Sequence, residues 1–238
     1  MTSSRDPNPD HSSALASSLT GDVTSGAVGD QITGEIVVLP VPYPAAAPVV
    51  KQYGKSLAGK VIIDITNPVD FAPFDSLVTP PDSSAAEEIA KIVPAGANVV
   101  KAFNTTLAGT LVAGSVAGPS LDVLIAGDDA EAKAKVVALV QAGGMRALDA
   151  GPLRRARQLE QAGYLRMLLQ QPLGTSYGSA PTAFSVDEDS GIVIALRRPK
   201  WGTRWREVVE PALVTPLGGR EYELRQTENP RRQRLGES

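Results

Sequence analysis

From about residue 34 onward, short β-branched runs alternate with alanine-rich stretches. Segments 35–39, 60–65, 98–103 and 121–126 are mostly apolar, with Val and Ile leading. Near-continuous runs of that length predict strands of a parallel sheet covered on both faces. The intervening stretches carry helix signals. Ser84 stands three residues before Glu87 at the head of 83–92, the spacing of a capping box. Asp128, Asp129 and Glu131 lead into an alanine- and valine-rich run that reaches Gly143 and Gly144. A helix with acids at its positive end, stopped by that glycine pair, is expected there. Residues 145–149 predict one more short strand. Pro152, read as a first helical position, predicts a long helix to about Gln170. The alternation predicts an α/β fold with a mostly parallel, doubly wound sheet.

Two stretches depart from the pattern. Segment 36–50 is apolar but interrupted by Pro40, Pro42, Pro44 and Pro48. Each proline removes a backbone donor and disfavours a continuous helix, and the run is short of the ~20 residues a membrane span needs. The first residues lack the apolar core of a secretory signal, so a cytoplasmic location is the default expectation. Near Ser185 the character changes: Asp187, Glu188 and Asp189 precede one apolar run, 192–196, and then arginine-rich sequence. Trp201 and Trp205, four apart, would line one face of a short helix with Val208 and Val209. Two readings stand for that tail: poorly packed sequence, or a helix that docks on a partner. The expected division is 1–150, 151–184 and 185–238, with no fixed-period repeat.

Composition narrows the chemistry. Of 238 residues, 42% are hydrophobic and 21% charged, which suits a folded chain rather than a disordered one. The formal net charge of −3 argues against a nucleic-acid binder. With no cysteine, disulfides, thiolate metal sites and Cys nucleophiles are excluded. One histidine, His11 in a polar stretch, leaves no multi-His metal site and no supported Ser-His-Asp triad. No metal site is expected.

Ligands of open α/β sheets bind outside the carboxyl ends of the strands. The sequence puts Val41-Pro42-Tyr43-Pro44 after the first strand, Thr66-Asn67-Pro68 after the second and Asn104-Thr105-Thr106 after the third. Gly127-Asp128-Asp129 and Ala150-Gly151-Pro152 follow the remaining two. Amides, hydroxyls and rigid prolines suit holding a flat polar cofactor by hydrogen bonds better than driving hydrolysis. Each also has a local explanation as a turn or cap residue. Asp128 and Asp129 read first as helix caps and second as paired carboxylates. Arg154, Arg155 and Arg157 read as a solvated helix face or an anion grip. The dinucleotide fingerprint G-x-G-x-x-G and the P-loop are both absent from the sequence.

Four strings in fixed order carry a resemblance: 83–87, then Val99-Val100-Lys101-Ala102-Phe103-Asn104-Thr105, then Ala126-Gly127-Asp128-Asp129, then Asp149-Ala150-Gly151-Pro152-Leu153. Over about residues 3–180 the chain resembles the F420H2:NADP+ oxidoreductase family. It is also similar to the nucleotide-binding domain of the STEAP metalloreductases. The resemblance implies a Rossmann-like NADP-binding domain over 1–150, a helical segment over 151–184 and hydride transfer between NADPH and the deazaflavin coenzyme F420. It implies no acid or base catalyst, since the cofactors carry the chemistry and the protein positions them. By resemblance, Ser4 and Arg5 hold the ribose 2′-phosphate, a role that a planar guanidinium fits. Val41, Pro42 and Tyr43 then line the cofactor. Asn67 and Pro68 form a wall near the nicotinamide, Ala102 is a further cofactor-binding position, and Asn104 matches a polar position that faces the second cofactor in the deazaflavin-using enzymes. Some relatives carry histidine at the position of Asn104. A homodimer is expected on the same ground alone.

If Arg5 follows the family's second strand, the chain starts past the first strand, its glycine loop, the first helix and the second strand. An N-terminally shortened version is therefore expected, through a misplaced start or a natural truncation. The strand at 36–39 would then keep an unpaired apolar edge, and the helix end that binds pyrophosphate would be missing. Two other readings remain: an NADPH-dependent reductase of a metal complex or small carbonyl, and a non-catalytic remnant that binds a protein.

Overall fold

The computed structural model describes residues 2–5, 9–19, 21, 23–115 and 119–170, and backbone segments 185–187, 191–193, 213–217 and 221–225; for 2–5, 9 and 11 the backbone alone is described. The chain begins with β1 (Thr2–Arg5), α1 (Pro9–Ser18) and β2 (Val23–Gly26). The two strands pair in parallel as a small sheet of their own. None of these three elements stands out in the sequence, because their Ser- and Thr-rich composition carries little hydrophobic periodicity.

The main sheet holds β3 (Ile36–Leu39), β4 (Val61–Asp64), β5 (Asn98–Lys101), β6 (Asp122–Gly127) and β7 (Arg146–Gly151), hydrogen-bonded in that order. Strands β3, β4 and β5 are parallel, in register Ile36↔Val61 and Val61↔Asn98. Strand β6 runs antiparallel to β5 through Val100↔Gly127 and Lys101↔Ala126, and β7 runs parallel to β6. Strand β3 lies at the edge of this sheet, and its Val38 is 42% exposed.

Side chains alternate across the central strands and so build two cores. Ile62 and Val99 pack on one face with Ala46 and Val50 of α2 (Tyr43–Tyr53), Ala86 and Ile89 of α3 (Ala85–Ala90) and Ala156 of α6 (Ala156–Gln170). Val61, Ile63 and Val100 pack on the other face with Val123, Ile125 and α5 (Ala130–Ala142). Helix α5 supplies Ala132, Val136 and Val140, spaced four apart on one stripe. Each fully buried Val or Ile stabilises by ~1.5–3 kcal/mol, so both faces are firmly held. The sheet is mostly parallel and doubly wound, a Rossmann-like α/β arrangement.

Local signals held in several places. The Ser84 hydroxyl accepts from the Glu87 N–H, and Asp129 accepts from Ala132 N–H at 2.7 Å, capping α3 and α5. Three expectations are corrected. The prolines of 36–50 do not prevent a helix: α2 contains both Pro44 and Pro48. Pro44 falls in the first turn, where its missing donor had no partner anyway. Pro48 forfeits one interior bond, offset by burial of Ala46 and Val50 at 0% and 1% exposure. The last helix starts at Ala156 after a 3-10 turn, Leu153–Arg155, rather than at Pro152. A short α4 (Ala108–Ala113), ended by Gly114 at φ 64°, went unanticipated because glycines flank and interrupt it.

Residues 181–238 form a second unit with two antiparallel pairs. These join β8 (Ser185–Asp187) to β9 (Gly191–Val193) and β10 (Leu213–Leu217) to β11 (Glu221–Arg225). The expected helix around Trp201 and Trp205 falls outside the described residues. Among the described residues, no helix is long and apolar enough to cross a membrane.

Candidate functional site

The carboxyl ends of β3, β4 and β5 point the same way, and the sequence places amides beyond two of them. Asn67, after β4, and Asn104, after β5, meet there. Asn67 Nδ2 donates to the Asn104 carbonyl and Asn104 Nδ2 donates to Asn67 Oδ1, both at 3.0 Å. Asn104 Nδ2 also donates to the carbonyl of Leu159 on α6 at 2.9 Å. The helix approaches this closely because Gly163 faces the pair. A Cβ at Gly163 would lie 2.6 Å from Asn67 Oδ1 and 2.9 Å from the Asn104 carbonyl oxygen.

Phe103 sets the aim of Asn104. It is a non-glycine residue at φ 63°, a left-handed conformation that costs about 1 kcal/mol or more. The ring packs on the core shared with α5, which holds the strained backbone in place. The chain folds back so that Asn104 N–H bonds the Ala102 carbonyl at 2.9 Å, turning the amide toward α6.

Beneath the amides lies a dry ionic cluster. The three ammonium protons of Lys101 go to Asp64 Oδ2 at 2.8 Å, Glu160 Oε1 at 2.9 Å and the Thr66 carbonyl at 2.6 Å. All three charged side chains are at most 1% exposed. Asp64 Oδ1 accepts from Thr66 N–H at 2.9 Å, which shapes the turn into Asn67. Glu160 accepts from Ala85 and Ala86 N–H at 2.9 and 3.3 Å, at the positive end of α3. Burial pushes the Glu160 carboxyl above its ordinary range, against the pull of Lys101. The cluster thus fixes the ends of β4 and β5 to α3 and α6, and it sets the positions of the two asparagines.

Several polar atoms at this rim remain without partners among the described residues. They are Thr66 Oγ1, Asn104 Oδ1, Thr106 Oγ1 and Arg166 Nε. Natural proteins leave few buried polar atoms unpaired, and such atoms gather where a ligand completes them. Tyr43, at the end of β3, faces the same region. Burial first, then the charges of Glu88, Glu160 and Asp64, push its phenol above the usual range.

The structure therefore brings Tyr43, Asn67 and Asn104 toward one rim. Pro68 is buried behind Asn67. Pro42 is exposed, whereas Val41 packs against the core of α2 and α3. Ala102 is 0% exposed within the α5 core, so its side chain cannot line a ligand and only its backbone takes part. Ser4 and Arg5 close β1, opposite Ser25 and Gly26, and their side chains lie outside the described residues.

Two further strand-end expectations are overturned. Because β6 is antiparallel to β5, the carboxyl ends of β6 and β7 point away from the rim. Gly127-Asp128-Asp129 and Ala150-Gly151-Pro152 do not join it. Asp129 is the cap of α5, and Asp128 accepts from Leu153 N–H at 2.8 Å. Arg157 grips a carboxylate of the chain itself, with two bonds to Glu87 at 2.7 and 2.8 Å, while Arg154 and Arg155 are exposed. The sequence reading missed Lys101, Asp64, Glu160, Gly163 and Arg166. A usable signal existed for the first two: a charged residue inside each of two otherwise apolar strands is rarely buried without a partner.

Comparison with known proteins places these features. The family model described as NADP oxidoreductase, coenzyme F420-dependent, matches residues 2–68. That span includes Ser4, Arg5, Tyr43 and Asn67. The solved structure of a protein from Arthrobacter sp. FB24, assigned as an F420-dependent NADP-reductase, is 32% identical with a TM-score of 0.59. The match covers 65% of this chain and 72% of that one. The chain belongs to the F420-dependent NADP oxidoreductase family. The F420-dependent NADP reductase of Methanocaldococcus jannaschii is 34% identical over 132 residues, 53% of this chain and 58% of its own. The metalloreductase STEAP3 of Rattus norvegicus is 40% identical over 104 residues, 44% of this chain and 20% of its own. The chain thus spans less than two thirds of either relative's length.

Proposed function

We propose that this family member is an oxidoreductase that moves a hydride between NADP(H) and the deazaflavin coenzyme F420. The observation that carries the reading is the locked Asn67–Asn104 pair at adjacent parallel strand ends, pressed against Gly163. It forms a rigid polar wall in which one amide oxygen, Asn104 Oδ1, has no partner among the described residues. An unpaired amide acceptor and an unpaired hydroxyl, that of Thr66, are groups that suit the amide edge of a flat heterocycle, so the residues present suit both cofactors. When bound, NADPH supplies the hydride and the deazaflavin ring takes it up.

The protein's part is orientation and exclusion of water. Tyr43, Asn67 and Asn104 would hold ring edges, and the ionic cluster below would keep the amides from turning. Arg5, with Ser4, would take the 2′-phosphate and so favour NADP over NAD. Proline and alanine positions at the rim, Pro42, Pro68 and Ala102, would shape the wall without chemistry of their own. We infer that residues 1–150 and 151–184 together make this site. The homodimer expected from the resemblance belongs to the same proposal.

The test mixes the full chain with NADPH and F420 and follows the deazaflavin's visible absorbance in both directions. F420 reduction by NADPH, and weak reduction by NADH, is the expected result. NADPH oxidation with a ferric chelate or a small carbonyl, but not with F420, would move the protein to another acceptor. Absence of any NADPH-dependent rise in the unfolding midpoint of the folded chain would leave a binding protein rather than a reductase. A ligand at a hundred times its dissociation constant adds about 2.7 kcal/mol, a shift of several degrees.

A further inference from the structure

The loop that leaves β4 through Asn67 closes on itself. Val69 pairs with Leu77 across an antiparallel bridge, and the N–H groups of Val69 and Val78 bond the Asn67 and Pro68 carbonyls at 2.9 and 2.8 Å. Further out, Asp70 N–H bonds the Ser76 carbonyl and Phe74 N–H bonds the Asp70 carbonyl, both at 2.9 Å. The Asp70 carboxylate accepts from Ala72 N–H at 3.1 Å. These bonds fix a compact surface loop rooted on the Asn67–Asn104 wall. Phe74 sits in it at φ 53°, one of two non-glycine residues at positive φ among the described residues; the other is Phe103, beside Asn104. Such strain persists only where the surroundings enforce it, and it gathers at ligand clamps.

Here α6 enforces it. Tyr164, next to Gly163, donates its hydroxyl to the Phe74 carbonyl at 3.2 Å, and its ring lies 6.2 Å from the Phe74 ring at 57°. The Phe71 ring lies 5.9 Å from that of Phe74 at 46°. Three rings thus form a row at the spacing of aromatic pairs, running from α6 to the loop tip. Phe74 and Tyr164 are partly buried, whereas Phe71 is 65% exposed. A lone exposed apolar residue needs no explanation. This one ends a built row that holds it out, and it forgoes the stabilisation that burial would give. Phe71 is four residues from Asn67, at most ~14 Å along an extended chain, so its ring cannot lie far from the wall.

We propose that Phe71, propped by Phe74 and Tyr164, is an aromatic platform on which the flat ring of the second substrate stacks, at the open side of the Asn67–Asn104 wall. The platform rests on the reading of this rim as the ligand site. It narrows the hydride partner to a planar aromatic ring and sets aside a small aliphatic carbonyl or a metal complex. An aromatic face and edge recognise another flat ring through offset or edge-to-face contact, which an aliphatic group cannot reproduce. An exposed position suits a substrate that enters from solvent and leaves after each turnover.

The experiment compares the full chain with Phe71→Ala, Phe71→Leu and Phe71→Tyr. It reads F420 and riboflavin affinity by fluorescence titration, and unfolding midpoints with and without NADPH. Because the ring is mostly exposed, every variant should unfold near the wild-type midpoint and keep the NADPH response. Phe71→Ala and Phe71→Leu should bind F420 about tenfold more weakly. Phe71→Tyr, which keeps the ring, should stay within about twofold. Equal F420 affinity in wild type and Phe71→Ala would overturn the platform. Full affinity in Phe71→Leu would overturn it too, since apolar bulk alone would then suffice. So would a parallel loss of the NADPH response, which would put the nicotinamide cofactor on Phe71, or an unliganded midpoint that falls in step with F420 affinity, which would make Phe71 a packing residue. A chain that does not bind F420 but binds riboflavin, also a flat tricycle, in a Phe71-dependent way would uphold the platform and refute the deazaflavin reading. A chain that binds neither ring would overturn both.

Discussion

The ammonium of Lys101 on β5 lies 2.9 Å from the carboxylate of Glu160 on α6, and both side chains are at most 1% exposed. Asp64 on β4 stands 2.8 Å from the same ammonium, so one cation serves two carboxylates. Removing the cation from such a site is far worse than removing the whole cluster. Lys101→Met should therefore destabilise the chain by about 3–5 kcal/mol, read from urea unfolding midpoints at neutral pH. Part of that loss should return in acid, where one carboxylate takes up a proton. A Lys101→Met variant as stable as wild type at neutral pH would refute the role of the cluster.

Glu160 makes the pH dependence specific. Burial raises its folded carboxyl pKa above the ordinary 4.5. Between that value and the raised one, the folded state holds a proton that the unfolded state has lost. Stability from this group is then fully present below about 4.5 and lost as pH rises through the folded value. The stability difference between wild type and Glu160→Gln should accordingly narrow with rising pH across that window. Other carboxylates cancel in the difference. A gap that widens over the same range would show that the ion pair with Lys101 outweighs burial.

Gly163 needs no special backbone angle; it is small because Asn67 and Asn104 occupy the space. A Cβ 2.6 Å from an amide oxygen and 2.9 Å from a backbone carbonyl cannot fit without moving one of them. In an exposed helix Gly→Ala would stabilise by up to ~1 kcal/mol. Here Gly163→Ala should destabilise by about 1–3 kcal/mol and also weaken the NADPH-dependent rise in unfolding midpoint. Gly144→Ala gives the contrast: nothing lies near its Cβ, but its φ of 73° makes a side chain strained. That variant should lose stability without altering the ligand response.

How much of this was legible beforehand follows from the range of each interaction. Strands β3 to β6 were readable because their burial imprints a mostly apolar run, and the caps at Ser84 and Asp129 because they act within three residues. The reversal of β6 was not readable. A strand buried on both faces looks alike in either direction, so Asp128 and Gly151 were placed on the wrong rim. Helix α2 was hidden by Pro44 and Pro48, whose local cost is overridden by packing that the local sequence does not show. At the site, Asn67 and Asn104 stood out as polar residues at strand ends. Their partner Gly163 and the buried Glu160 did not, because contacts between β4, β5 and α6 leave no periodic trace. The resemblance supplied Ser4 and Arg5, which no local signal would have distinguished from an ordinary dipeptide.

The two asparagines themselves offer the sharpest test of the wall. They exchange two hydrogen bonds of 3.0 Å, one from each side-chain amide. Asn104→Ala leaves Asn67 Oδ1 without its donor, while Asn67→Ala removes both bonds, so the single losses should overlap through the shared Asn104 Nδ2–Asn67 Oδ1 bond. Asn67→Ala and Asn104→Ala should each cost about 1–3 kcal/mol. The double variant should cost less than their sum, with a coupling of about 0.5–3 kcal/mol. Asn104→Ala should be the worse of the two, because the Leu159 carbonyl also loses its donor. If the pair also orients a bound ring, kcat for hydride transfer should fall in each variant by more than the NADPH affinity does. Additive single losses, with kcat and affinity changing together, would mean that the amides are independent turn residues and that the wall is elsewhere.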